Sequence, residues 1–225
     1  MQKKISLFLK ICLIACVSIG LTLCFINAKY DGYSHWSKRL LFFTNQSNLW
    51  ILITMILLIC PTSEKNKQSI RVARFVFTTS ITITGLVFCC LLAPFADQSY
   101  HVWSTSGILT HVFVPSLAIA DLFVDQHRIF VTKKEILFCL IPMFCYFIMT
   151  TFLFCIGVDF GRGENFPYFF FNFTSPAGIF GFSNQSPYYI GSFYWSVFII
   201  LIDLIIAITY ARINNFLFNK AKNKE

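Results

Sequence analysis

The chain has 225 residues, of which 56% are hydrophobic and only 12% charged, with 28 phenylalanines and a formal net charge of +8. That balance is far from a soluble domain's and places the chain in lipid. The basic excess is not gathered into a nucleic-acid binding motif, and it is better explained as topology determinants facing an anionic inner leaflet.

Reading for runs of about 20 mostly apolar residues predicts six spans, in chain order Ile5 to Ile26, Leu40 to Cys60, Phe75 to Ala93, Gly107 to Val124, Ile136 to Gly157 and Gly191 to Tyr210. The start of the first resembles a secretory signal, but its apolar run is long and Ile26-Asn27-Ala28 is a poor cleavage site, so an uncleaved helix is expected. With the amino terminus cytoplasmic, thirteen basic residues fall on that side: Lys3, Lys4, Lys65, Lys67, Arg71, Arg74, Arg128, Lys133, Lys134, Arg212, Lys220, Lys222 and Lys224. Four face outward, Lys29, Lys38, Arg39 and Arg162, and Lys10 lies inside the first span. Basic residues are retained inside, so the fold expected is all-α and integral to the membrane, with six transmembrane helices and both termini cytoplasmic. No repeat and no low-complexity linker divides residues 1–225, which read as a single helical domain.

The nine cysteines all fall in or at the edges of apolar runs and read as small buried hydrophobes rather than a disulfide framework. None has a histidine at zinc-like spacing, and neither a metal nor another cofactor is expected. The segment 158–190 breaks the pattern, with eleven Phe and Tyr residues, Pro167, Pro176 and Pro187. It is an aromatic belt at the membrane surface or a partly re-entrant lid that offers aromatic surface to an acyl chain. Sequons occur at Asn172 and Asn184, and a third at Asn45 is too close to the membrane for modification.

Two features inside the spans carry chemistry. Thr44-Asn45-Gln46-Ser47-Asn48 opens the second span, and at about 100° per residue all but Gln46 share one half of a helix. His111 lies near the start of the fourth span, which runs in the same direction, so both features belong to the outer half of the membrane. Such polar residues can simply join helices by hydrogen bonds. The sharper reading makes Thr44 a nucleophile and His111 its base, with amides of Asn45 or Asn48, beside Ser47, holding an oxyanion on a cleaved ester. A group orienting His111 is missing from its own helix, because Asp121 and Asp125 lie about 15 and 21 Å away at helical rise. Asp97, Asp159 and Glu164 in the outer loops are alternatives.

These residues resemble a family. Leu41-Phe42-Phe43-Thr44-Asn45-Gln46-Ser47-Asn48, His111 four residues before Pro115, and Phe166-Pro167-Tyr168 are similar to the androgen-induced, ADTRP-like multi-pass membrane proteins, above all their bacterial six-helix relatives. The resemblance implies a Thr/His hydrolase of fatty-acyl esters, with Thr44 and His111 in the catalytic positions, membrane lipids as surroundings and a bacterial cytoplasmic membrane as location. The Asn-Gln-Ser-Asn sequence after Thr44 follows the bacterial branch, and the His-to-Pro spacing is one residue shorter than in the eukaryotic hydrolases. A non-enzymatic structural role and a transporter are the rivals. The latter rests on Lys10, Asp121 and Asp203 in or near lipid, with Lys10 and Asp203 read as a neutralising pair.

Overall fold

The computed structural model describes residues 2–61, 63–95 and 102–223, the side chains of residues 64 and 65 excepted. The main helices are α1 (Gln2–Ile26), α2 (Phe43–Ile59), α3 (Glu64–Val87), α4 (Thr105–Val124), α5 (Lys133–Cys155) and α6 (Ser192–Lys222). All but α2 belong to helices long and apolar enough to cross a membrane. At 17 residues, α2 is about 26 Å long against a hydrocarbon thickness of about 30 Å. Leu40 and Leu41, expected in the second span, instead belong to a 3-10 turn, Trp36–Leu41, that leads into it.

Local sequence sets most helix ends. Pro61 disfavours the helical conformation in the residue before it, and Cys60 is accordingly extended. Ser63 caps α3 by accepting from Asn66 N–H, Ser104 caps α4 by accepting from Gly107 N–H, and Thr132 with Glu135 forms a capping box at α5. Pro142 brings no N–H to the first turns of α5, and the helix is interrupted at Cys139. Two π-helical turns depart from this regularity. One, Phe88–Leu92, prolongs α3, and the other, Leu109–Phe113, lies within α4 just before Pro115.

The bundle is organised around α3, which touches α2, α4, α5 and α6 while α1 packs on α2 and α4. Its buried face is hydroxylated, and most of these side chains are satisfied within the helix, Thr78 Oγ1 being the one buried hydroxyl there without a partner among the described residues. Thr79, Ser80, Thr82 and Thr84 each donate to the carbonyl four residues back, which makes a polar face compatible with an apolar interior. Small residues bring backbones close. A Cβ on Gly20 would lie 2.7 Å from Thr110 Cγ2, and one on Gly85 would lie 2.8 Å from the His111 carbonyl oxygen. Large apolar side chains point outward along the helices, Phe8, Ile148 and Phe216 among them. Contiguous apolar surface of this kind marks an interacting face, here the one a bilayer would cover.

A buried ion cluster joins α1, α3 and α4. Lys10 Nζ donates to Asp121 Oδ1 at 2.7 Å and to Asp125 Oδ2 at 3.0 Å, while Arg74 reaches Asp125 and lies 3.5 Å from Asp121 Oδ2. Ser6 Oγ adds a bond of 2.7 Å to Asp121 Oδ1. This corrects the expected pairing of Lys10 with Asp203. Asp121 itself is 0% exposed.

Three further expectations change. Only Cys139 is buried; Cys60, Cys89, Cys90, Cys145 and Cys155 lie on the outer surface, where their apolar character suits lipid as well as core. Helix α6 continues twelve residues beyond Tyr210 to Lys222 because its polar end has partners. Asn214 Nδ2 donates to the Ile129 carbonyl and Asn215 Nδ2 to that of Val131, both at 2.7 Å, holding the α4–α5 connection against it. The segment 158–190 divides in two. Phe160, Phe170 and Phe171 are buried, the last two packed with Phe43, Tyr146 and Ile199, whereas Phe180 and Phe182 stay exposed.

Candidate functional site

Thr44 is the second residue of α2, where the first backbone N–H groups of a helix have no intrahelical acceptor. Phe42, at the cap position, offers no side-chain oxygen. The partner comes from the aromatic segment: Tyr168 Oη accepts from Thr44 N–H at 3.3 Å and lies 3.2 Å from Thr44 Oγ1. Tyr168 therefore acts as a remote cap and at the same time touches the candidate nucleophile. Burial pushes its phenol up to about 12 despite the hydrogen bonds from Thr44, so it is a neutral O–H donor at ordinary pH. Beside it, Tyr146 donates to the Leu41 carbonyl at 3.1 Å.

These groups border a cavity of about 30 Å³, walled by Phe43, Ile83, Val87, Leu92, Met143, Phe170, Phe171 and Ile199 as well as Thr44, Thr84, Tyr146 and Tyr168. Small-ligand sites are typically apolar hollows with a few placed polar groups; this one has that lining, but its closed space has room only for water-sized guests. Its few polar side chains are hydroxyls, so it can offer hydrogen bonds to an ester or alcohol but no charge.

The rest of the polar string is engaged elsewhere. Asn45 Nδ2 donates to the Arg39 carbonyl at 2.6 Å, and Gln46 Nε2 to that of Leu40 at 2.9 Å. Ser47 Oγ meets Thr84 Oγ1 on α3 at 2.9 Å. Asn48 Nδ2 donates to the carbonyls of Thr44 at 2.8 Å and Thr110 at 3.3 Å. The second of these bonds has a clear cause. In the π turn Val114 N–H reaches back five residues to Leu109, so the next donor, facing Thr110, would be Pro115, which has none. Asn48 supplies it. Both amide hydrogens of Asn48 are thus committed, which leaves no donor there for an oxyanion. We expect Asn48→Leu to cost about 1–3 kcal/mol by stranding the Thr110 carbonyl, read as a lower unfolding temperature in detergent.

His111 lies within the π turn of α4, with its ring stacked on Phe88, the first residue of the other π turn, at 3.8 Å between centroids. Its Nδ1 is 2.9 Å from the Gly107 carbonyl oxygen and 3.0 Å from Thr110 Oγ1. The Thr110 hydroxyl proton already goes to the Ser106 carbonyl at 2.8 Å, and a carbonyl cannot donate. Nδ1 therefore carries the hydrogen in the neutral ring, and Nε2 holds the lone pair. Nε2 has no hydrogen-bond partner among the described residues.

The orienting group that the sequence left open is thus the carbonyl of Gly107, one helical turn back on the same helix. Asp159 is engaged with Lys38 and Gly161 N–H, and Asp97 lies outside the described residues. Thr44 and His111 are not hydrogen-bonded to each other, and His111 is not in the cavity wall. What joins their helices is the Asn48 amide, which bridges the backbone of Thr44 to that of His111's neighbour. Sequence reading did not single out the Tyr168 hydroxyl, Gly107 or Phe88. Tyr168 alone had a signal, in the Phe166-Pro167-Tyr168 motif. Compared with known proteins, the chain matches no protein-family model, no curated protein and no solved structure.

Proposed function

We propose that the protein crosses the membrane six times with both ends cytoplasmic, and that it hydrolyses fatty-acyl esters of lipids at Thr44, near the outer leaflet. The observation that carries this reading is the position of the Thr44 hydroxyl, in the wall of an otherwise largely apolar cavity and within reach of a neutral phenol. Five long apolar helices, the outward apolar side chains and the distribution of basic residues support the topology. The resemblance of the Thr44 and His111 motifs to the ADTRP-like hydrolases supports the chemistry, and its bacterial leaning supports a cytoplasmic membrane as location.

In this scheme an acyl tail enters from lipid and parts the cavity wall to lie against Phe43, Phe170 and Phe171. Thr44 Oγ1 attacks the ester carbonyl carbon as His111 Nε2 takes its proton, and the Tyr168 O–H donates to the oxyanion. Collapse expels the alkoxide, which takes the proton from the imidazolium, and water then cleaves the threonyl ester by the same route. The imidazole has to turn from its stack on Phe88 to reach Thr44, a rearrangement of the kind that substrate binding brings about in catalytic hydrogen bonds.

The test is labelling of the purified protein by a fluorophosphonate probe. Thr44 is expected to carry the label. Thr44→Ala should abolish labelling, and His111→Ala should slow it by about 10²-fold or more. Tyr168→Phe should slow it as well. Labelling unaltered in Thr44→Ala would overturn the proposal. A second reading, acyl-lipid binding without cleavage, is favoured by the engagement of the Thr44 hydroxyl with Tyr168 rather than His111. Its signature is lipid that co-purifies with a protein the probe does not label.

A further inference from the structure

Asp203 is a carboxyl that neither the ion cluster nor the candidate site uses. It lies on the buried stripe of α6 with Ile199, Ala207 and Ala211, is 1% exposed, and its Oδ1 is buried without a hydrogen-bond partner. Among the described residues the neighbouring elements bring no counter-charge. In the buried part of α3 the base is Arg74, and it is held by Asp121 of α4 and by Asp125, the residue that follows α4. Helix α5 brings the Cys139 thiol, whose Sγ approaches Thr79 Oγ1 at 3.7 Å, while Lys133, Lys134 and Glu135 sit in its first turn. The 3-10 turn Phe169–Phe171 brings only phenylalanine, and Tyr210 on α6 itself is paired with Thr82. Lys10 is committed to Asp121 and Asp125.

A carboxylate ion in such a place has lost its water and finds neither cation nor donor among the described residues, whereas the carboxylic acid carries no charge to desolvate. From this geometry we infer that Asp203 is a proton-binding site in the interior of the bundle, a carboxyl held as the acid. It contrasts with Asp121 and Asp125, which are also buried but face Lys10 and Arg74. The inference is independent of the Thr44 reading, since Asp203 is not in the wall of the Thr44 cavity and has no part in the chemistry proposed there.

The test uses dicyclohexylcarbodiimide, an apolar reagent that reacts with buried carboxylic acids. The acid proton moves to one carbodiimide nitrogen and the carboxylate oxygen bonds to the central carbon. The acyl group then shifts from that oxygen to the nitrogen, giving a stable N-acylurea with no atom lost. In the intact protein in detergent, peptide mass mapping should place the adduct on Asp203 and leave Asp121 and Asp125 unmodified. Asp203→Asn should lose it while eluting as a folded species in gel filtration. The wild-type map is decisive even where that variant fails to fold. Asp203 unmodified in folded protein at excess reagent, or Asp121 modified to the same extent, would overturn the inference.

Discussion

Replacing Asp121 by Asn is expected to lower stability by about 3–5 kcal/mol, the usual cost of removing one member of a buried ion pair. The side chain is fully shielded and accepts from both Lys10 and Ser6 while Arg74 lies alongside. Two cations and two carboxylates balance there; with Asn the cluster keeps both cations but only Asp125. The penalty comes from the stranded charge rather than from a lost contact, and this makes a second variant informative. Lys10→Met combined with Asp121→Leu removes a cation and an anion together and should be less destabilising than Asp121→Asn alone. Thermal unfolding in detergent, followed by loss of the monodisperse peak, measures both. If the double variant is the worse, the cluster contributes through packing and not through charge balance.

The acid limb of stability reports the same cluster. Burial pushes the Asp125 carboxyl up, but Arg74, Lys10 and the His127 N–H together outweigh it and hold the group well below the usual carboxylate range. A carboxyl depressed in the folded state contributes stability that is present above its unfolded value, near 3.8, and is lost as pH falls through the folded one. Asp125→Asn should therefore flatten the decline in unfolding temperature below about pH 4.

Gly85→Leu is the second large effect expected. Even a methyl at this position would sit 2.8 Å from the His111 carbonyl oxygen and 3.1 Å from Pro115 Cγ. The first of these is backbone inside a π turn and cannot swing aside as a side-chain tip would. A leucine has to drive α3 away from α4 at the level where Phe88 stacks on His111, and overpacking of that kind costs about 1–3 kcal/mol. The displacement should also slow fluorophosphonate labelling, because it shifts the imidazole relative to α2. Leu86→Phe, one residue on but outward-facing, is the control and should change neither measurement. Equal stability in the two variants would mean that α3 and α4 do not meet as closely as described.

The helices themselves were legible because an apolar run of sufficient length has few alternatives to a buried or lipid-facing helix, and Pro61, Ser63 and Thr132 mark boundaries through local chemistry alone. The lower limit of α6 was not legible, since Asn214 and Asn215 look like loop residues until the α4–α5 connection is laid against them. Of the candidate site, the sequence named Thr44 and His111 but not the groups that hold them. The Gly107 carbonyl is invisible to any reading of side chains. A tyrosine 124 residues from Thr44 becomes its neighbour only when the aromatic segment folds back on the bundle.

What followed from the amino-acid sequence by itself was local in origin: the all-helical character, the approximate positions of the apolar segments, and the presence of polar groups where hydrocarbon makes them costly. What those polar groups face was a tertiary matter. Lys10 found Asp121 and Asp125 rather than Asp203, and the amides after Thr44 turned to the carbonyls of Arg39, Leu40, Thr44 and Thr110. The physical reason is that a buried charge or amide is stabilised by whichever partner lies within about 3 Å, and distances of that size between helices are set by how small residues such as Gly20 and Gly85 let their backbones approach.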